Sequence, residues 1–161
     1  MRAYVCGDLH CEFHRDGGRQ LIGHVLPKAD IAVVAGDLAV GRELRAALKL
    51  LADKYRQVVY VAGNHDYYHS GLEEIDGIRR TLELNNVHWL ENEAVEIEGA
   101  RFVGCTLWFG WHREDLEMQI SDFQVIRGLR QWVHPRNAVF ISRPFPGRRP
   151  LRPRRAAADA M

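Results

Sequence analysis

The segment VVYVAGNHDYYH, residues 58–69, decides the fold because it joins a β-branched apolar run directly to glycine, asparagine, histidine and aspartate. Short apolar runs that end in glycine are typical of strands buried on both faces. Two earlier runs have the same form, AYVCG at 3–7 and IAVVAG at 31–36. Helical spacing of apolar residues predicts one helix over 42–55 and a shorter one over 19–26. The order strand, helix, strand, helix, strand predicts an α/β protein with a parallel βαβαβ beginning.

The pattern changes after a further helix that we expect over LEEIDGIRRTLEL, residues 72–84. Alternating, β-rich segments follow from residue 87 to 109. Among them NEAVEIEGARFVG predicts a hairpin that turns at Glu98 and Gly99. A helix is also expected over 115–129.

Composition places the chain among soluble globular proteins. Its 161 residues suit one domain, with 47% hydrophobic and 27% charged residues. No apolar run approaches the roughly 20 residues that a membrane span needs. The start MRAYVCGDLH does not resemble a signal peptide, and the three cysteines form no CxxC pair. We therefore expect a cytoplasmic protein.

A basic, proline-rich segment sets the end of the chain apart. RPFPGRRPLRPRR contains six of the 22 Lys and Arg and four of the six prolines, although the net charge is only +1. We expect a domain over 1–142 and a disordered tail over 143–161. The tail is either a basic arm for nucleic acid or an acidic partner, or a segment without selected structure. We favour the second interpretation, because no aromatic residue for base stacking follows Phe145.

Polar residues follow each of the three predicted parallel strands, as GDLH (7–10), GDL (36–38) and GNHD (63–66). Each is a common turn sequence when taken alone. The carboxyl ends of parallel strands meet at one edge of the sheet, where ligands bind in such folds. Together the segments offer carboxylate, imidazole and amide donors, which suit two divalent ions of the Mn, Fe or Zn type.

The residues of these segments have distinct expected roles at a two-metal site. Asp8 and His10 would bind one ion, and Asn64 would give its amide oxygen to the second. Asp37 would bridge the two ions, which lie roughly 3.5–4 Å apart in dinuclear hydrolytic sites. A water activated by both ions would then attack phosphorus.

Two residues are expected to be catalytic. His65 would hydrogen-bond the phosphoryl oxygen or protonate the leaving alkoxide. Asp66 would hold the ring of His65 and its tautomer.

The three segments, 29 and then 27 residues apart, resemble the first three signature blocks of the calcineurin-like metallophosphoesterases of bacterial type. RFVGCTLWFGW is similar to the strand that follows in that family, so the resemblance covers about residues 2–130. It implies a four-layer αββα sandwich, a dinuclear Mn, Fe or Zn centre and hydrolysis of phosphomonoesters or phosphodiesters. It also implies the same assignment of metal ligands and of His65.

The family pattern continues with a histidine block and a GHxH block, and this sequence has neither. His112 and His134 stand alone, and we expect neither to be a ligand. The second sheet is therefore expected to be incomplete, and the chain to be a truncated member.

Three hypotheses for function follow. The first is a metal-dependent phosphoesterase that acts on phosphate esters. The second is a catalytically impaired fragment that binds a metal ion or a partner, with self-association through an uncovered second sheet. The third, nucleic-acid binding through residues 143–161, is not favoured, and no membrane partner is expected.

Overall fold

Four parallel strands form the main sheet of the part of the chain that the structure describes, which is residues 1–106 and 121–129 of a computed structural model. In spatial order they are β1 (Ala3–Cys6), β2 (Ile31–Ala35), β3 (Gln57–Val61) and β4 (Val87–Trp89). Each strand neighbours the one before it in sequence, with helical connections between them. The predicted parallel βαβαβ beginning is confirmed.

Helical segments cover one face of this sheet. In the described residues the α-helices are α1 (Leu44–Lys54), α2 (Leu72–Arg80) and the single turn α3 (Asp122–Val125), and Leu21–Val25 is π-helical. The apolar stripe of α1 faces the sheet, because Leu44, Leu48 and Leu51 are fully buried. Full burial of a leucine contributes about 2 kcal/mol, so this stripe is a main source of stability in the layer.

A β-hairpin covers the other face. It consists of β5 (Glu93–Ile97) and β6 (Ala100–Gly104), and it turns at Glu98 and Gly99 as predicted. Both turn residues have positive φ, 49° and 80°, as a two-residue hairpin turn of type I′ requires.

The residues of the main sheet alternate between these two layers. The helical layer packs on Ala32, Val34, Val58 and Tyr60, and the hairpin packs on Ile31, Val33, Val59 and Val61. A Cβ at Gly104 would lie 2.5 Å from Val61 Cγ1, so the absence of a side chain lets β6 approach β3 closely. Within the described residues the second sheet is small and has two strands, β5 and β6.

The helix expected over 72–84 ends earlier, at Arg80. Arg45 of α1 donates from its two terminal guanidinium nitrogens to Thr81, to the carbonyl oxygen at 2.8 Å and to Oγ1 at 2.6 Å. These bonds hold the residue that follows the last helical turn of α2 against α1.

The first connection also differs from the expected helix over 19–26. Its last turn is π-helical, and the ammonium group of Lys54 donates to the carbonyl oxygens of Ile22 and Leu26 at 2.5 and 2.6 Å. A lysine on another helix thus satisfies carbonyls that the widened turn leaves free.

Several expectations fall on residues that the structure does not describe. These are the tail over 143–161, the first part of the helix over 115–129, and His112 and His134. Among the described helices, none is long and apolar enough to cross a membrane.

Candidate metal centre

The loops after β1 and β2 are joined by backbone hydrogen bonds at the carboxyl edge of the sheet. The N–H groups of Asp8 and His10 donate to the carbonyl oxygens of Gly36 and Asp37, at 3.1 and 3.0 Å. These bonds continue the pairing of the two strands beyond their ends. The two loops therefore hold their polar side chains in a fixed relation.

Three of the predicted ligands have a strained backbone. The backbone φ values of Asp8, His10 and Asp37 are 55°, 44° and 53°. These values lie in the left-handed region, which residues other than glycine rarely adopt. Such strain is common where a site requires a particular side-chain direction.

The ligand atoms of Asp8, His10 and Asp37 all lie within 4.8 Å of one another. Two carboxylates and one imidazole at this spacing fit a divalent ion of the Mn, Fe or Zn type, because each ligand atom can approach a shared centre. The structure thus brings together the three residues expected to hold the first ion.

Glycines allow the loops after β2 and β3 to approach each other closely. Gly36 has a φ of 87°, and a Cβ on it would lie 2.8 Å from Gly63 Cα. A Cβ on Gly63 would in turn lie 2.7 Å from Asp37 N. Asp37 Oδ1 accepts the backbone N–H of His65 at 2.9 Å, so the GNHD segment is fixed directly on this carboxylate.

Asp66 is fully buried, and its carboxylate accepts four backbone N–H groups from two loops. The donors are Gly63 at 2.7 Å, Leu38 at 2.9 Å, Asp37 at 3.0 Å and Ala39 at 3.1 Å. Burial raises the pKa of Asp66 to about 6, although the backbone N–H groups oppose this change. The sequence assigned Asp66 to the ring of His65, whereas the hydrogen bonds of its carboxylate go to the backbone.

The ring of His65 lies among other side chains of the site. It stacks on Tyr68 with ring centroids 4.1 Å apart, and its edge meets the ring of His10 at 4.5 Å. The carboxylate next to its Nδ1 belongs to Glu12, whose Oε1 lies 3.5 Å away. His65 is about one quarter exposed, so the ring reaches the surface of the site.

Asn64 is held by a residue from a distant part of the chain. Its Nδ2 donates to Asp122 Oδ1 at 3.0 Å, and Tyr68 donates its hydroxyl to the same oxygen at 2.6 Å. The amide nitrogen is thereby directed to Asp122, and the amide oxygen remains for another partner.

Cys11 follows the DLH segment but belongs to the core. It is 2% exposed, and burial raises the pKa of its thiol to about 12. The thiol is therefore protonated at neutral pH and packs as a small apolar group.

Sequence reasoning missed Glu12 and Asp122. Glu12 lies two residues after His10, so the spacing HxE was a signal available in the sequence. Asp122 lies 58 residues after Asn64, and no spacing or periodicity connects them.

The profile of the calcineurin-like phosphoesterase family matches residues 1–144 of this sequence. The chain belongs to this family.

A solved structure of phosphopantetheinyl hydrolase from Mycobacterium tuberculosis has a similar fold. The TM-score is 0.55 at 17% sequence identity, over 86% of this chain and 58% of the other. An uncharacterized protein of Acanthamoeba polyphaga mimivirus is 25% identical over 96 residues, which are 53% of this chain and 34% of that protein. The chain therefore spans about a third of the length of that relative and 58% of the solved chain.

Proposed function

We propose that this protein is a metal-dependent phosphoesterase that hydrolyses phosphomonoesters or phosphodiesters at the carboxyl edge of its parallel sheet. The observation that carries the proposal is the meeting of Asp8, His10 and Asp37 within 4.8 Å. Family membership supports the reaction class.

The proposed site holds two divalent ions, with manganese as the first candidate. Asp8, His10 and Asp37 would hold one ion, and Asp37 and the amide oxygen of Asn64 would hold the other. Bound ions of this kind orient the phosphate oxygens and supply a water nucleophile at neutral pH.

The side chains of the protein position the substrate and move the proton. His65, which is partly exposed beside the cluster, would donate a hydrogen bond to the phosphoryl oxygen and a proton to the leaving alkoxide. Its backbone N–H fixes Asp37, so the two groups keep a constant separation. Tyr68 packs on the ring and limits its rotation.

The second candidate is a fragment that binds one ion or a partner chain without catalysis. Two apolar side chains on the second-sheet side of the molecule favour it, since Val5 and Val103 are 65% and 67% exposed. A contiguous apolar patch that included these side chains would be typical of a face that another chain covers. The number of ions discriminates the two candidates, because the enzyme holds two per chain and the fragment at most one.

The test is Mn²⁺-stimulated hydrolysis of a generic aryl phosphodiester by the purified chain, with Asp37→Asn as the blank. The proposal predicts turnover above that blank. Equal rates for the two proteins, both shown to be folded, would contradict the proposal and favour the fragment.

A further inference from the structure

We propose that Glu12 is a positioning residue that fixes the ring orientation and the tautomer of both histidines of the site, His10 and His65. The inference rests on the proposed function for the roles of those histidines. The geometry that supports it is independent of any reaction.

One carboxylate oxygen lies between the two rings. Glu12 Oε1 is 3.0 Å from His10 Nδ1 and 3.5 Å from His65 Nδ1. The side chain of Glu12 is only 9% exposed, so it is held inside the site and does not extend into water. It lies on a 3-10 turn, Cys11–Phe13, whose first N–H bonds to the loop after β2.

Two polar atoms of this group are buried without a hydrogen bond within the described residues, namely Glu12 Oε2 and His65 Nδ1. A buried carboxylate oxygen without a partner is costly, so its retention requires an explanation. A small rotation of the His65 ring would bring Nδ1 within hydrogen-bonding distance of the carboxylate. In this arrangement the carboxylate of Glu12 can accept a hydrogen bond from the imidazole of His10 and one from that of His65.

The consequence for His10 follows from general metal-site chemistry. Histidines that bind metal ions usually donate the other ring N–H to a carboxylate, which fixes the tautomer. If Nδ1 carries the proton and faces Glu12, then Nε2 presents its lone pair to an ion held with Asp8 and Asp37.

The consequence for His65 concerns the direction of its second nitrogen. A ring whose Nδ1 faces Glu12 turns Nε2 away from that carboxylate, toward the open side of the site. To give a proton to the leaving group, Nε2 must carry one, so the ring would act as an imidazolium whose Nδ1–H donates to Glu12. The role that the sequence suggested for Asp66 thus passes to Glu12.

The first experiment measures ring ¹⁵N chemical shifts by NMR in the metal-free protein at pH 8. Substitution of each histidine by glutamine assigns the signals. The inference predicts the Nδ1–H tautomer for His10 and His65 in the unmodified chain. An Nε2–H tautomer for His10 would overturn the inference without the need for any variant at position 12.

The second experiment compares Glu12→Ala with Glu12→Gln, whose carbonyl oxygen still accepts a hydrogen bond. We expect Glu12→Ala to shift His10 toward the Nε2–H tautomer and Glu12→Gln to restore the Nδ1–H form. Exposed Glu73 on α2 provides the control, because Glu73→Gln should change neither ring. Ring signals of Glu12→Ala that match those of the unmodified chain would overturn the inference.

The third experiment separates positioning from metal ligation and from binding of substrate. At saturating Mn²⁺, we expect Glu12→Ala to keep the full number of ions per chain. Its kcat for the aryl phosphodiester should fall about 10- to 100-fold, with little change in KM. Loss of one ion at saturation would make Glu12 a ligand and overturn the inference.

The outcomes distinguish failure of this inference from failure of the proposed function. An inactive wild-type chain with the expected tautomers would contradict the proposed function alone. An active wild-type chain whose tautomers do not depend on Glu12 would contradict this inference alone.

Discussion

Asn64 donates its side-chain amide to Asp122 Oδ1 over 3.0 Å, which joins the loop after β3 to the α3 turn. Tyr68 donates its hydroxyl to the same oxygen. The carboxylate of Asp122 therefore decides which way the amide of Asn64 points. Because the amide nitrogen of Asn64 bonds to Asp122, the amide oxygen of Asn64 is the atom that would bind an ion.

Asp122→Ala should weaken binding of the second ion, because it frees the amide of Asn64 to rotate. We expect about a 10- to 100-fold loss of Mn²⁺ affinity, the usual effect of removing a group that orients a metal ligand. Calorimetric titration of the metal-free protein with Mn²⁺ measures it. The control is Asp53→Ala, which removes an exposed partner of Lys49 on α1. Equal affinities in the two variants would refute the role of Asp122.

Asp66→Asn should destabilise the fold even though it removes a buried negative charge. The carboxylate accepts four backbone N–H groups, whereas an amide offers one acceptor oxygen and places its own N–H₂ against donors. Leaving buried N–H groups without acceptors costs about 1–3 kcal/mol each, so we expect a loss of about 3 kcal/mol in the free energy of unfolding. Urea unfolding of the metal-free protein gives the value, and a loss below about 1 kcal/mol would be inconsistent with this role.

The carboxyl group of Asp66 should titrate well above an ordinary aspartate. Burial raises its pKa to about 6, from 3.8, so the folded protein binds this proton more tightly than the unfolded chain. Its contribution to stability is therefore fully present below pH 3.8 and is lost as the pH rises to about 6. NMR of the side-chain ¹³C signal in the metal-free protein should give a midpoint near 6. A midpoint below 4 would contradict the direction.

Gly63→Ala should disrupt the site, whereas Gly77→Ala should not. A Cβ at Gly63 would lie 2.7 Å from Asp37 N, so the loops after β2 and β3 must separate. At Gly77, inside α2, a Cβ would meet no heavy atom of the described residues within 4 Å, and alanine favours the helix by up to about 1 kcal/mol. Thermal unfolding and Mn²⁺ binding of both variants test the contrast. Equal Mn²⁺ affinity in the two variants would show that the close approach is not required.

Local patterns in the sequence were enough to predict the strands and the hairpin. The apolar runs that end in glycine, and the pair Glu98 and Gly99, depend on neighbours in the chain for their conformation. The pattern predicted a longer α2 than the structure has, and Arg45 of another helix bonds to Thr81 just after the observed end. Long-range contacts of this kind leave no periodic trace in a single sequence.

At the candidate site, too, local patterns could be predicted from the sequence and long-range contacts could not. Asp8, Asp37 and His65 follow neighbouring parallel strands, so their convergence could be expected from the topology of a parallel sheet. The contacts of Asp66 with backbone N–H groups, and of Asn64 with Asp122, depend on side-chain directions that the spacing of motifs does not encode. The sequence therefore predicted which residues meet, but not which carboxylate supports which partner.

In the proposed two-metal site at the edge of the sheet, Asp37 binds ions and His65 acts on substrate. The most direct measurement is the number of Mn²⁺ ions bound per folded chain in the unmodified protein, Asp37→Asn and His65→Ala, with turnover measured in parallel. We expect two ions in the unmodified protein, fewer in Asp37→Asn, and two in His65→Ala with its turnover strongly reduced. Loss of the ions in His65→Ala together with their retention in Asp37→Asn would contradict it.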